Sequence, residues 1–172
     1  TEARMSVFSE LMLEDLGKRT VGFVPNFDDE ELEPIVLPSK FPNILVNGAS
    51  GISAGYATEI PPHNPGEVID AAIYRINNPN STTEELMQFV KGPDFPTGAI
   101  VQGLDGLKSA YETGRGKVIV RSKYEIDKSK IEPRIIITEI PFDVNKAVLL
   151  RKMSDVIQLK GIEGIKMIRD ES

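Results

Sequence analysis

The chain has 172 residues, 40% of them hydrophobic, no cysteine and a formal net charge of −6. The hydrophobic content supports a folded core, and the absence of cysteine excludes a disulfide scaffold and fits a reducing compartment. No stretch approaches the roughly 20 consecutive apolar residues that a membrane-spanning helix needs. Taken alone, the negative charge argues against a nucleic-acid binder, because such proteins neutralise phosphates with Lys and Arg.

The first part of the chain predicts one helix followed by short strands. The segment TEARMSVFSELMLEDL has apolar residues at helical spacing, and Gly17 ends the pattern. Three short apolar runs follow, separated by prolines and an acidic turn, and predict strands rather than a long helix: 21–24, 35–37 and 44–46. A glycine-rich loop is expected next, closed by Pro61 and Pro62.

The remainder predicts further helices mixed with strands. Asn64 before Pro65 marks a helix start, a Ser or Thr in STTEELMQFV starts a second helix, and Asn145 starts the last one. A helix near 104–112 ends at Gly114. Strands are predicted for KVIVRSKYEI, RIIITEI and the closing GIKMIRDES. Because no regular βαβ rhythm is present, the predicted class is α+β.

Motifs for self-contained catalysis are missing from the sequence. GRGK at 114–117 has neither the spacing nor the Ser or Thr of a phosphate-binding loop. His63 is the only histidine, so no histidine-based metal cluster or Ser-His-Asp triad can be built, and a local hydrogen bond is the expected role for it. The acidic DDEEL lacks the spacing of a calcium loop and is expected to be a solvated turn.

Charge is distributed unevenly along the chain. Residues 1–60 carry ten acidic and four basic side chains, whereas residues 101–134 carry eight basic and five acidic ones. From charge alone, a solvated surface is the favoured interpretation of the basic segment.

Ile52 stands alone among small residues in NGASGISAGYATEIPPHN. One interpretation is that it packs into the core of its own domain, as most isoleucines do. The other is that it is an apolar wedge, of the kind that DNA-bending proteins insert between base steps. Short neighbouring side chains would let the backbone approach the sugar-phosphate strands. The residues by themselves leave both interpretations open.

Several long blocks carry a specific resemblance: FPNILVNGASGISAGYATEIPPHN, KGPDFPTGAIVQG, YETGRGKVIVRSK, IIITEIPFDVNKA and GIEGIKMIRDES. Together they closely resemble the A-subunit family of bacterial type IIA topoisomerases, essentially end to end. GISAGYAT and DDEELEPIVLPSKFPN resemble the topoisomerase IV branch more than the gyrase branch, which usually reads closer to GIAVGMAT.

The resemblance implies that the catalytic residue is not in this sequence. In the family the nucleophilic tyrosine, preceded by arginine, comes immediately before the position of Thr1, so the chain is expected to be an internal fragment that is inactive alone. None of its four tyrosines matches the nucleophile. Residues 1–46 would be the C-terminal part of the winged-helix DNA-gate module, and 47–172 a tower domain truncated at its C-terminal end.

The resemblance also assigns DNA-binding residues. The family isoleucine that matches Ile52 inserts into the bent DNA segment beside the cleavage site. Its neighbours with an expected DNA-binding role are Asn47, Ser50, Gly51, Ser53 and Lys40. Contacts with the flanking DNA are expected from Arg115, Lys117, Arg121 and Lys123.

For the intact protein the resemblance implies ATP-dependent passage of one duplex through another, by way of a 5′-phosphotyrosyl link. Mg²⁺ and ATP would both be bound by the partner B subunit, and neither by this chain. The expected assembly is A2B2, and it acts on double-stranded DNA in the cytoplasm, at the nucleoid. Two alternatives remain: a fragment of the gyrase homologue, and a non-enzymatic DNA-architectural or scaffold module.

Overall fold

The computed structural model describes residues 2–129, 132–159 and 161–172, and divides into two compact units, Thr1–Pro93 and Asp94–Ser172. Both units combine helices with antiparallel two-stranded sheets, so the predicted α+β class is confirmed. The predicted domain boundary between residues 46 and 47 is a different division of the chain, and it stays a prediction.

The first unit begins with a helix and two hairpins. Its elements are α1 (Val7–Leu13), β1 (Phe23–Pro25), β2 (Leu32–Pro34), α2 (Asn43–Val46), β3 (Ala49–Ser53), β4 (Tyr56–Ile60), α3 (Pro65–Asn77) and α4 (Thr83–Leu86). β1 pairs with β2 and β3 with β4. Helix α3 supplies the buried side chains Val68 and Ala71, and both α2 and α4 contact it.

Capping side chains set the helix starts that the sequence predicted. The Asn64 side chain accepts hydrogen bonds from the backbone N–H groups of Gly66 and Glu67, at 3.0 and 3.3 Å, and Pro65 is the first residue of α3. Thr82 and Glu85 form a reciprocal capping box at α4. These bonds satisfy backbone donors that have no partner inside the helix.

The second unit has two strand pairs and two helices. Its elements are β5 (Ile100–Gln102), α5 (Asp105–Thr113), β6 (Ile119–Arg121), β7 (Lys123–Asp127), β8 (Arg134–Glu139) and α6 (Lys146–Gln158). β5 pairs with β6 and β7 with β8, all antiparallel. Leu107 of α5 is 2% exposed, α5 ends at Gly114 with φ 73°, and Asn145 caps α6, as the sequence predicted.

Four predicted elements differ in the structure. The 44–46 run is part of helix α2 rather than a strand, because the backbone N–H groups of Val46 and Asn47 bond back to the carbonyls of Pro42 and Asn43. The 35–37 run is not a strand; β2 lies just before it. Helix α1 starts only at Val7, where Ser6 caps it. The glycine-rich stretch is a hairpin rather than a loop.

The predicted C-terminal strand is also wrong. Residues 164–172 pair with no strand in the part of the chain that the structure describes. A strand needs a hydrogen-bonded neighbour, and the segment is held instead by an ion pair between Lys146 Nζ and the Asp170 carboxylate at 2.9 Å.

Candidate nucleic-acid interface

The residues around Ile52 form a regular β-hairpin, here called the glycine hairpin (residues 49–60). β3 and β4 pair antiparallel, and Ile52 lies directly opposite Ala57. A two-residue turn, Ala54–Gly55, connects the strands, and Gly55 has φ 82°. That dihedral is the one a type II turn requires at its second central residue, and glycine adopts it without steric cost.

Ile52 is the only large apolar side chain on its face of the glycine hairpin. Alternation along the strands places Ser50, Ala57 and Glu59 on the same face. The side chain is 94% exposed. The interpretation in which Ile52 packs into its own core is therefore wrong, because nothing in the described structure covers it.

The base of the glycine hairpin is fixed where β3 begins. Gly48 has φ 70°, and a Cβ atom there would lie 2.3 Å from the carbonyl oxygen of Ile60 and 3.0 Å from Pro61 and Pro62. Any other residue would collide with the backbone that leaves β4. Gly48 is thus required by close backbone contact as well as by its dihedral.

His63 closes the same base from the other side. Its backbone N–H donates to the Val46 carbonyl at 3.3 Å, and its ring Nδ1 lies 3.0 Å from the Leu45 carbonyl oxygen. The residue is only 4% exposed. The predicted local hydrogen bond is confirmed, and it joins the end of the hairpin to helix α2.

The predicted polar neighbours of Ile52 are accessible. Ser50, Gly51 and Ser53 are exposed along β3, and no atom lies within 4 Å of a Cβ placed on Gly51. Asn47 precedes β3, and its side-chain amide donates to the Asn43 side chain at the end of α2. The structure thus places a polar amide group before β3 and short hydroxyl groups beside Ile52.

Lys40 lies outside the glycine hairpin and has an acidic partner. Its Nζ forms an ion pair with the Glu14 carboxylate, and both side chains are substantially exposed. An exposed pair of this kind contributes little to stability. The charge of Lys40 is therefore already partly compensated within the first unit.

The four basic residues expected to contact flanking DNA belong to the second unit. Arg115, Lys117 and Arg121 are exposed, and among the described residues none of them forms an ion pair. Lys123 Nζ pairs with the Glu139 carboxylate at 3.2 Å. The structure thus leaves three uncompensated cations on the segment from Gly114 to the end of β6.

Sequence analysis missed the two residues that fix the hairpin base, Gly48 and His63. A signal was present, since a glycine precedes the hairpin and Pro-Pro-His follows it. The contacts themselves link residues up to 18 positions apart, and no periodicity reports them.

Two general features of the described residues also bear on function. No group of three or more His, Cys, Asp or Glu side chains is arranged there to hold a metal ion. None of the helices described is both long and apolar enough to cross a membrane.

Comparison with known proteins gives one consistent result. Residues 1–172 match the family described as the A subunit of DNA gyrase/topoisomerase IV. The chain is 58% identical over 173 aligned residues to the A subunit of DNA topoisomerase 4 from Bacillus subtilis strain 168, and 58% to its namesake from Streptococcus pyogenes serotype M3. It is 51% identical to the Staphylococcus epidermidis protein of that name. Each match covers 100% of this chain but only 22%, 21% and 22% of the relative, so the chain spans about a fifth of their length.

Proposed function

The chain belongs to the A-subunit family of DNA gyrase/topoisomerase IV, and from that premise we propose that it is the DNA-bending part of the breakage-reunion subunit of a bacterial topoisomerase IV. The observation that carries the proposal is the 94% exposure of Ile52 on a hairpin face of small residues. A buried isoleucine, or one among bulky neighbours, would be unable to enter a base step.

The geometry of the glycine hairpin suits a wedge. An apolar side chain that enters a base step partly unstacks it and kinks the duplex by roughly 20–90°. Ala57 opposite Ile52, and Ser50 beside it, keep bulk away from the bases that would close around the wedge. The Ile52 side chain then loses its contact with water, which favours insertion by about 25 cal/mol per Å² of apolar surface buried.

Polar groups of the same hairpin would hold the backbone of the DNA. Asn47, Ser50 and Ser53 offer amide and hydroxyl donors, and Gly51 leaves room for a phosphate to approach the main chain. Such contacts are independent of sequence. Lys40 would contribute only if phosphate replaced Glu14 as its partner.

The chemistry of strand cleavage is assigned to residues outside this chain. We place the nucleophilic tyrosine immediately before Thr1, and Mg²⁺ and ATP on a partner B subunit in an A2B2 assembly at the bacterial nucleoid. The tyrosine attacks a phosphodiester and forms a 5′-phosphotyrosyl link, which preserves the bond energy for resealing. The part of this chain is to bend the duplex at the site of attack.

The test is strand passage by the complete enzyme carrying Ile52→Ala. Decatenation is expected to fall by about tenfold or more, since each 1.4 kcal/mol of lost bending energy costs a factor of ten. Ile76→Ala is the matched control, because Ile76 is 76% exposed in the same unit but lies on α3. Equal activity of Ile52→Ala and the unchanged enzyme would contradict the proposal.

The relatives named above favour topoisomerase IV over gyrase, since the name of each of them is that of the DNA topoisomerase 4 protein. The two enzymes differ in the product of their reaction. Topoisomerase IV decatenates and relaxes DNA, whereas gyrase introduces negative supercoils. ATP-dependent supercoiling of relaxed plasmid by the complete enzyme would reassign the chain to gyrase.

The codons that precede Thr1 test the enzymatic part of the proposal. Arg-Tyr after a winged-helix sequence is the expected result. A start codon or an unrelated domain there would leave a DNA-architectural module, and every statement about strand cleavage would be withdrawn.

A further inference from the structure

We propose that His63 is the positioning residue for Ile52: it locks both ends of the glycine hairpin to helix α2, so that the wedge points in one direction. The inference rests on the proposed function, because it needs Ile52 to be the wedge. It concerns the orientation of the hairpin, and leaves the DNA contacts themselves to other residues.

The hydrogen bonds of His63 define its chemical state. The Leu45 carbonyl oxygen can only accept, so the ring Nδ1 that lies 3.0 Å from it must carry a hydrogen and donate. The backbone N–H of His63 donates to the neighbouring carbonyl, that of Val46, at 3.3 Å. Two consecutive carbonyls are thus satisfied by one residue.

These two carbonyls belong to the last turn of α2, where a helix has no internal donors to offer. Helix α2 leads through Gly48 into β3, whereas His63 follows β4. The bonds of His63 therefore join the entry and the exit of the hairpin. Removal of the ring donor would leave a carbonyl unpaired beside a side chain that is 4% exposed.

The base is the natural place to set the direction of the glycine hairpin. A two-stranded hairpin is only marginally stable by itself, and the small residues of this one provide little cross-strand packing. Ile52 lies four residues beyond Gly48, or about 13 Å along the strand at roughly 3.3 Å per residue. A tilt of about 10° at the base would then move Ile52 by about 2 Å, which is large against the ~3.4 Å spacing of stacked bases.

A purely structural histidine would stabilise the unit without affecting the wedge. The experiment must therefore measure bending and stability separately. The complete enzyme, with both kinds of subunit present, is mixed with a duplex that carries a fluorophore at each end, and energy transfer reports the ratio of bent to straight DNA. Thermal unfolding of the same samples reports stability.

Two substitutions at His63 differ in the position of the donor. In His63→Asn the amide nitrogen takes the place of Nδ1, and the bent-to-straight ratio is expected to stay within about twofold of the unchanged enzyme. In His63→Leu the donor is lost, and the ratio is expected to fall by about tenfold, the effect of roughly 1.4 kcal/mol. Should His63→Leu fail to fold, His63→Gln replaces it with the same expectation, since its amide lies at the other ring nitrogen.

Asn78→Leu is the matched control. The Asn78 side chain donates to the Tyr74 carbonyl at 3.1 Å, so the substitution also removes a side-chain donor from a helix carbonyl in the same unit. It lies at the other end of α3, away from the hairpin base. It is expected to lower the unfolding temperature and leave the bent-to-straight ratio unchanged.

A double-mutant cycle with Ile52→Ala decides between positioning and general stabilisation. If His63 acts through Ile52, His63→Leu has no further effect on bending once Ile52→Ala is present. Additive losses, or normal bending by His63→Leu while Ile52→Ala bends poorly, would overturn the inference and leave the proposed function intact. Normal bending by Ile52→Ala would overturn the proposed function itself, and the inference with it.

Discussion

Two antiparallel strand pairs of this chain expose isoleucine in opposite ways. The glycine hairpin exposes one, Ile52, on a face whose other members are small or polar. The pair formed by β7 and β8, here called the isoleucine pair, places four large apolar side chains on one face: Tyr124, Ile126, Ile135 and Ile137. Their exposure ranges from 40% to 63%.

The difference indicates what each surface is shaped for. A continuous apolar face is suited to packing against another flat surface, because all of its members gain contacts at once. A single apolar side chain on a bare hairpin gains little on a flat surface but fits a narrow gap. Exposure alone therefore does not identify a wedge; the small size of its neighbours does.

The two pairs are also anchored by different interactions. The glycine hairpin is fixed by backbone contacts at Gly48 and His63. The isoleucine pair is fixed at the end of β8 by a carboxylate: Glu139 accepts from the Ala99 N–H at 2.6 Å and pairs with Lys123. Ala99 has φ 79°, an unfavourable value for alanine, so the Glu139 contact compensates for local strain.

The largest effect is expected at the backbone anchor. Gly48→Ala should destabilise the chain by about 3 kcal/mol, from the left-handed dihedral and from the collision with the Ile60 carbonyl. Gly55→Ala is the control, because Gly55 has φ 82° but open space around its Cβ position, and should cost about 1 kcal/mol. Denaturant unfolding of both variants measures the difference. Equal losses would show that the close contact at the base contributes nothing.

A smaller effect is expected for DNA affinity when the basic segment is changed. Arg121→Gln should reduce the slope of log affinity against log salt by about 0.9, the value for one lost phosphate contact. Binding of duplex DNA by the complete enzyme at several salt concentrations measures it. Arg151→Gln on α6 is the matched control, and a shared, unchanged slope would return Arg121 to the class of solvated surface charges. Lys123→Gln should have less effect, since Glu139 already compensates that cation.

The smallest effect is expected at the charged anchor. The Ala99 N–H, and after it Lys123, lower the pKa of Glu139 below its ordinary value of 4.5. A carboxyl whose pKa is lower in the folded state contributes stability that is complete above the ordinary value and is lost as pH falls through the folded value. Glu139→Gln should therefore lose less unfolding temperature than the unchanged chain on acidification from about pH 7 to about pH 3.

Glu125→Gln is the control for that experiment, because Glu125 lies on β7 and forms no ion pair among the described residues. It should retain the acid sensitivity of the unchanged chain. If Glu139→Gln were equally acid-sensitive, the contact with Ala99 would not be an anchor.

Features with a local physical cause could be predicted from the sequence. Asn64, Thr82 and Asn145 cap helices within three residues of themselves, and Gly114 adopts a left-handed dihedral that glycine alone favours. These effects depend on neighbouring residues only. The exposure of Ile52 was open from the residues alone, and the family resemblance supplied its role.

Features that depend on distant partners could not be predicted. The 44–46 run has strand-like composition, yet a turn of helix forms there after Pro42. The C-terminal segment reads as a strand but pairs with no strand in the described part of the chain. The bonds of His63 to α2 span 17 and 18 positions and leave no repeating pattern in the sequence.

The central claim is that Ile52 bends DNA, and the direct measurement is the bend angle of a labelled duplex bound by the complete enzyme with Ile52→Ala. The bent fraction is expected to fall by about tenfold while unfolding temperature and salt-dependent affinity change little. Ile76→Ala should bend DNA as the unchanged enzyme does. A full bend in the presence of Ile52→Ala would contradict the account.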